Sequence, residues 1–185
     1  MKKIEPKIGN LLISEPDMSD PNFKRSVILL TSHDCNETIG FILNQSTDLF
    51  VHDIIDDFPI FNSKISIGGP VQKNTLHFIH SLGEKIENSI KINENLYWSG
   101  NIQNLKELIV KKEVFSSQVR FFAGYSGWSS NQLSSEIEEK SWIVVPGDSE
   151  TALRLNNKEL WKSFIKEMDQ EYAIWANMPE NPCLN

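Results

Sequence analysis

An apolar run that breaks on two glycines and restarts as a charged segment constrains this chain more than any other stretch. Residues 121–133 read Phe-Phe-Ala-Gly-Tyr-Ser-Gly-Trp-Ser-Ser-Asn-Gln-Leu. The apolar start is the end of a strand that opens near Gln118. Gly124 and Gly127 supply the backbone freedom for a tight turn around Tyr125 and Ser126. From about Asn131 an amphipathic helix follows, with Leu133 and Ile137 facing inward and Glu136, Glu138 and Glu139 in solvent. A strand that feeds a helix through such a turn requires a fold containing both elements, with Tyr125 and Trp128 pinning the turn.

Upstream, the pattern is rich in hairpins. Residues 8–14 and 26–32 are continuous apolar runs that suit buried strands. The second run reaches a polar loop at residues 33–37 and returns as residues 38–44, so these two strands pair antiparallel. Leu49, Phe50, Val51, Ile54, Ile55 and Phe58 fall at three and four spacing and predict a short helix that ends at Pro59. Short strands are expected at residues 65–67, before Gly68-Gly69-Pro70, and at 76–80. Residues 84–95 form a weak hairpin or edge, and 96–98 a strand end. Ser99 or Asn101 caps a helix carrying Ile102, Leu105, Leu108 and Ile109. The strand 142–145 closes at Pro146, Asp148 caps a helical turn, and a last helix buries Leu160, Trp161, Phe164, Ile165 and Met168. The tail at 175–182 is too proline-rich to continue as helix. Hairpins early and helices later favour an α+β domain over a doubly wound sheet.

Charge limits the function classes. With 185 residues and a net charge of −7, the chain lacks the basic surface that grips a phosphate backbone, which argues against direct nucleic-acid binding. No apolar run approaches the length of a membrane span. Only Cys35 and Cys183 occur, and no apolar segment follows the basic start as in a signal peptide. The expected location is therefore the cytoplasm, with free thiols and no membrane association.

No motif fixes a reaction. Gly124-Tyr125-Ser126-Gly127-Trp128 approaches the G-x-S-x-G elbow of hydrolases, but Trp128 stands where the second glycine belongs. Gly68-Gly69-Pro70 follows a strand and could form an anion nest, although a tight turn or bulge is the better use of its glycines. His77 and His80, three apart on a strand, point to opposite faces and make a poor metal pair. Arg25 and Ser26 enter one strand where Asn44 leaves its neighbour. These polar groups either converge on a pocket or satisfy the loop backbone beside them.

Several signatures coincide along the chain. They are Gly9-Asn-Leu-Leu-Ile-Ser14; Phe23-Lys-Arg-Ser-Val27 with His33; Gly40-Phe-Ile-Leu-Asn44; Gly68-Gly-Pro-Val71 with Leu76; and Arg120-Phe-Phe-Ala-Gly-Tyr-Ser-Gly-Trp128 with Gln132-Leu133. Trp142, Leu160-Trp161 and the tail from Pro179 to Asn185 complete the set. In this order the chain resembles the UPF0301, YqgE or AlgH-like family of bacterial proteins. That family usually carries glycine where Asn131 stands, and a basic residue and proline where Gln45 and Ser46 follow Asn44. The resemblance implies one α+β domain over residues 1–185, with a bifurcated, mostly antiparallel sheet and a small β-barrel surrounded by helices.

The resemblance supplies no catalytic residue, cofactor or metal. One branch of the family is linked to transcriptional regulation of alginate production. The expectation is a non-enzymatic binding or regulatory protein that acts through a protein or small-molecule partner and affects transcription, if at all, indirectly. The alternative is a hydrolase with its site at Gly124–Trp128. The ligand-binding candidates are Arg25, Ser26, His33, Asn44, Gly68, Gly69, Tyr125, Ser126 and Gln132.

Overall fold

The computed structural model describes residues 4–155 and 158–168, and the structural statements below refer to these. The chain order is β1 (Asn10–Ser14), β2 (Val27–His33), β3 (Glu37–Ile42), β4 (Ser46–Phe50), β5 (Lys64–Ile67), β6 (Val71–His80), β7 (Ile90–Asn93), β8 (Leu96–Trp98), α1 (Ile102–Val110), β9 (Val119–Ser129), α2 (Gln132–Glu138), β10 (Trp142–Pro146), α3 (Ser149–Leu153) and α4 (Leu160–Glu167). Hydrogen bonds link the strands in the order β10-β1-β2-β3-β9-β6-β8-β7, with β5 joining β9 to β4. All pairings are antiparallel except β5 with β9. This is the α+β fold with a bifurcated sheet that the resemblance implied, curled as a half-barrel.

The fork lies on β9. One of its edges carries β6 opposite Val119–Tyr125. Its other edge carries β5 opposite Phe121–Ala123 and then β3 opposite Ser126–Ser129. Gly68 stands in the crotch: its N–H donates to Ala123 O (2.9 Å) and its carbonyl accepts from Ile42 N (2.9 Å). A side chain there would strike Gly124 O and lie 2.9 Å from Phe41 Cδ1.

Side-chain alternation sends neighbouring apolar residues to different cores. Leu11, Ile13, Val27, Leu29, Phe41 and Phe122 pack under Leu160, Trp161 and Ile165 of α4. Leu12, Ile28, Leu30 and Ile42 pack on the other face with Trp128, Trp142 and Leu133 of α2. Phe121 joins Phe78, Leu105 and Ile109 beneath α1. Burial on both faces explains why these strands read as unbroken apolar runs.

Two expected elements are different. The predicted tight turn at Gly124–Gly127 is absent, because β9 runs straight through it for 11 residues. Its partner β6 absorbs the irregularity instead, with Val71 opposite Tyr125 and Leu76 opposite Ala123. Gly124, at φ 66, permits this approach, since a Cβ would lie 2.6 Å from Val71 O. Trp128 therefore pins no turn. It sits opposite Thr38 within the sheet and meets Trp142 edge-on at 5.8 Å.

The predicted helix over residues 49–58 is instead β4 followed by a 3-10 turn at Val51–Asp53. Leu49 and Ile54 are about half exposed, so the helical spacing marked no buried face. Thr47 Oγ1 donates to Ile65 O (2.8 Å) and Ser46 pairs with Ser66, which ties this stretch to β5. The residues 84–95 region supplies β7, which ends the sheet as expected of an edge. Asn101, not Ser99, caps α1, accepting from Gln103 N at 3.0 Å. Asp148 caps α3 as predicted. The tail at 175–182 and Cys183 lie outside the described residues, whereas Cys35 is a free, exposed thiol.

Candidate functional site

Where β2 begins and β3 ends, one side chain organises the corner. Asn44 Oδ1 accepts from Val27 N (2.9 Å), and its Nδ2 donates to Arg25 O (2.7 Å). This bracket holds Arg25 at φ 52, a left-handed conformation that few non-glycine residues adopt. Gln45 Nε2 reaches Asn22 O (3.3 Å) and lies 3.5 Å from Ser26 Oγ. Ser26 itself is fully buried, and its N–H donates to Ser14 Oγ (2.9 Å).

Helix α4 forms the opposite wall. Trp161 Nε1 donates to Ser14 O (2.9 Å), which fixes the helix to β1, and the Arg25 guanidinium lies 5.2 Å from the centre of the Trp161 ring. Between corner and helix opens a cleft of about 600 Å³. Lys24, Arg25, Lys158 and Lys162 line it, with Asn44, Gln45, Ser46, Ile67, Glu159 and Trp161. Glu159 lies 3.7 Å from Lys162 Nζ. On β4, Asp48 is held by Lys64 at 2.8 Å. That hydrogen bond and charge, with a smaller contribution from Lys158, keep the Asp48 carboxyl below its usual range.

Behind the cleft lies a buried guanidinium. Arg120 on β9 is fully buried and donates to Ser66 Oγ (3.2 Å from Nε, 3.0 Å from Nη2), Ala152 O (3.0 Å), Arg154 O (2.9 Å) and Leu43 O. It also lies 5.1 Å from the Phe122 ring centre. Burial pulls its pKa down to about 9. Leu43 precedes Asn44, and Ala152 and Arg154 precede the segment that carries Lys158. Arg120 therefore ties both walls of the cleft to the central strand.

Comparison with known proteins agrees with this architecture. The AlgH-like family pattern matches residues 11–173. The chain belongs to the AlgH-like family. A UPF0301 protein of Parabacteroides distasonis is 39% identical over 97% of this chain and 92% of its own. Another, from Chlorobaculum tepidum, is 37% identical over 97% and 96%. Among solved structures, the crystal structure of a Corynebacterium diphtheriae protein gives a TM-score of 0.79 at 24% identity, covering 96% of this chain and 95% of that one. The solution structure of AlgH from Pseudomonas aeruginosa gives 0.72 at 22%, covering 98% and 100%. At these identities the two structures establish the fold alone. The relatives' names carry no activity.

The candidate residues of this AlgH-like chain fall in separate places. Arg25 and Asn44 meet in the cleft, with Ser26 just beneath. Gly68 and Gly69 are packing positions at the fork, where a Cβ on Gly69 would collide with the Tyr125 carbonyl. Ser126 is fully buried, and its Oγ donates to Gly68 O at 3.0 Å. Tyr125 packs against His77, ring centres 5.7 Å apart. His33 Nδ1 lies 2.7 Å from Thr38 Oγ1. Gln132 Oε1 accepts from Ser129 N (3.0 Å), and its Nε2 donates to Glu136 Oε1 (2.9 Å). Asn131, where the family usually has glycine, adopts φ 62.

A Ser–His contact joins Ser89 Oγ to His80 Nε2 at 3.0 Å. Its wiring opposes nucleophile activation. His80 Nδ1 accepts from Leu82 N (3.2 Å), so the neutral ring carries its proton on Nε2, aimed at Ser99 O (3.0 Å), and cannot take one from Ser89. Burial lowers the His80 pKa and favours this neutral form, partly opposed by the Ser99 carbonyl. Among the described residues no three His, Cys, Asp or Glu side chains gather as a metal site, and no helix is long and apolar enough to cross a membrane.

Lys24, Gln45, Lys158, Lys162 and Arg120 are not among the sequence's ligand-binding candidates, although Lys24 and Arg120 fall within the family signatures and Gln45 beside one. Arg120 carries a readable signal, a charge in the middle of the apolar run 119–123. The cleft lysines carry none, since scattered basic residues in an acidic chain look like solvated faces.

Proposed function

We propose that this AlgH-like protein is a non-enzymatic binding protein whose ligand occupies the cleft between the Arg25–Asn44 corner and α4. The observation that carries the reading is the placement of Arg25. Its strained backbone is bracketed by Asn44 and its side chain is laid on Trp161, so a cation is held at the mouth of a cavity large enough for a small organic molecule. Regulation would then proceed through the ligand or through a protein partner that senses it. Direct reading of nucleic acid fits poorly with a chain of net charge −7 whose cleft cations are confined to one concavity.

The hydrolase alternative has less support, because the Ser126 hydroxyl is buried and engaged with Gly68 O. A fragment library screened by ligand-observed NMR tests the reading. Fragments should bind the native protein and be lost in Gln45→Trp, which fills the cleft. Binders that persist in that variant would contradict it. Ester hydrolysis by the native protein that disappears in Ser126→Ala would favour the alternative.

A further inference from the structure

We infer that the face formed by α1 and the segment before β5 pairs two copies of this chain about a two-fold axis. Of the eight large apolar side chains that the described residues expose, five belong to these two stretches: Leu49, Ile54, Ile60, Val110 and Phe115. Ile60 is 88% exposed and Val110 69%, while Phe58, Phe61, Leu105 and Ile109 from the same stretches pack together beneath them. Single exposed apolar residues need no account, but a cluster beside a groove marks an interaction surface. The groove between the stretches encloses about 590 Å³. One bank is Asp57, Phe58 and Pro59. The other is a stripe of α1, with Gln103, Lys106, Glu107 and Val110 at three and four spacing and Lys111 after them. The groove shares no lining residue with the Arg25–α4 cleft, so the inference goes beyond the binding reading and does not depend on it.

The charges on the two banks select the occupant. The first bank is acidic: Asp56 stands beside Asp57, and no lysine or arginine occurs from Val51 to Ser63. The second, α1 with its exit, presents Lys106, Lys111 and Lys112 against Glu107 and Glu113. Among the described residues, Asp56, Asp57, Lys111 and Lys112 enter no ion pair, and Lys106 Nζ lies over the Phe58 ring, 5.7 Å from its centre. A partner of one charge sign would match one bank and be repelled by the other. A second copy matches both. With the two-fold axis along the groove, the acidic bank of each copy faces the cationic bank of its twin. Ile60 and Val110 of both copies then meet between the banks. Each contact is made twice, as an isologous interface requires, and an apolar centre inside a charged rim is the usual layout of such interfaces.

Sedimentation velocity over a concentration series tests this. The native protein should pass from monomer to dimer as its concentration rises, and added salt should weaken the dimer. The double variant Ile60→Glu, Val110→Glu should weaken dimerisation at least about tenfold. Its far-ultraviolet circular dichroism should be native, because both side chains are exposed in a single copy. Two charge-reversed proteins test the pairing itself. Asp56→Lys, Asp57→Lys makes both banks cationic, and Lys106→Glu, Lys111→Glu makes both anionic, so each alone should stay monomeric. An equimolar mixture of the two should recover dimers, which damage to the fold would not do. A native protein that stays monomeric at every concentration would overturn the inference. So would a dimer indifferent to Ile60→Glu, Val110→Glu, since its contact would lie on another face. Dimers of either reversed protein alone, or a mixture that stays monomeric, would refute the two-fold charge pairing.

Discussion

Replacing Arg120 by methionine removes the group that ties the cleft walls to β9, and opposing effects set the magnitude. Burial pulls the guanidinium well below its ordinary value, to about 9, which corresponds to a cost on the order of 5 kcal/mol for keeping it charged inside. Against that stand its bonds to Ser66 Oγ and to the carbonyls of Leu43, Ala152 and Arg154. Bonds to a charged group contribute roughly 1.5–3 kcal/mol each, so the bonds outweigh the cost of burial. Methionine would recover the cost of burying charge. It would also leave three carbonyls and a hydroxyl without their donor, at roughly 1–3 kcal/mol for each that stays dry. With about 2 kcal/mol for each of the four acceptors, the expected net loss is about 3 kcal/mol, read as a lowered urea midpoint at unchanged slope. Arg120→Lys should fall between, because an ammonium cannot span acceptors from three segments. The pH sign also follows. The native state holds this proton less tightly than the unfolded chain, so its unfavourable contribution is full below about pH 9 and fades as pH rises toward the ordinary arginine value. A methionine variant as stable as the native protein would refute the reasoning, as happens where a buried charge network is replaced by apolar groups without orphaned partners.

Other consequences follow from single contacts. Glu136 Oε2 accepts from Trp128 Nε1 (2.8 Å) and Trp142 Nε1 (2.7 Å), so Glu136→Ala should cost about 2–3 kcal/mol by leaving two indole donors unpaired. Near-ultraviolet circular dichroism should show the loss of tryptophan order. Asn44→Ala should cost about 2 kcal/mol for its two backbone bonds and weaken fragment binding in the cleft by releasing Arg25; full retention of both properties would contradict its bracketing role. His80 is held neutral by burial, with its pKa lowered. Its contribution is therefore complete above its ordinary value near 6.5 and is lost as pH falls below that toward the folded value. Comparison of urea midpoints from pH 7.5 to 5 should show a shallower decline in His80→Asn than in the native protein.

The strands were legible because their burial on both faces leaves unbroken apolar runs such as 26–32, and the caps because Asn101 and Asp148 announce helix starts directly. The turn expected at Gly124–Gly127 was misread for a physical reason. Glycine marks either a reversal or a close backbone approach, and only the tertiary fork, with Gly68 and Val71 against Gly124, selects the second. The helix expected at 49–58 fell to sheet pairing, which no periodicity within the segment reveals. For the cleft, Arg25 and Asn44 were visible as polar groups at adjacent strand ends. Lys158 and Lys162 lie more than 110 residues further along, and nothing local links them to that corner. Arg120 could have been noticed, since a charge within an apolar strand must find partners inside.

The account's central claim is that function resides in the Arg25–α4 cleft and not in the glycine- and aromatic-rich strand that identifies the family. Amide chemical-shift mapping of the labelled protein titrated with a binding fragment from the ligand-observed screen tests this most directly. The predicted result is a saturable set of shifts confined to Lys24–Val27, Asn44–Ser46 and residues 158–162. Shifts centred instead on Gly124–Trp128 and Gly68–Gly69, or no saturable shifts with any fragment, would contradict it.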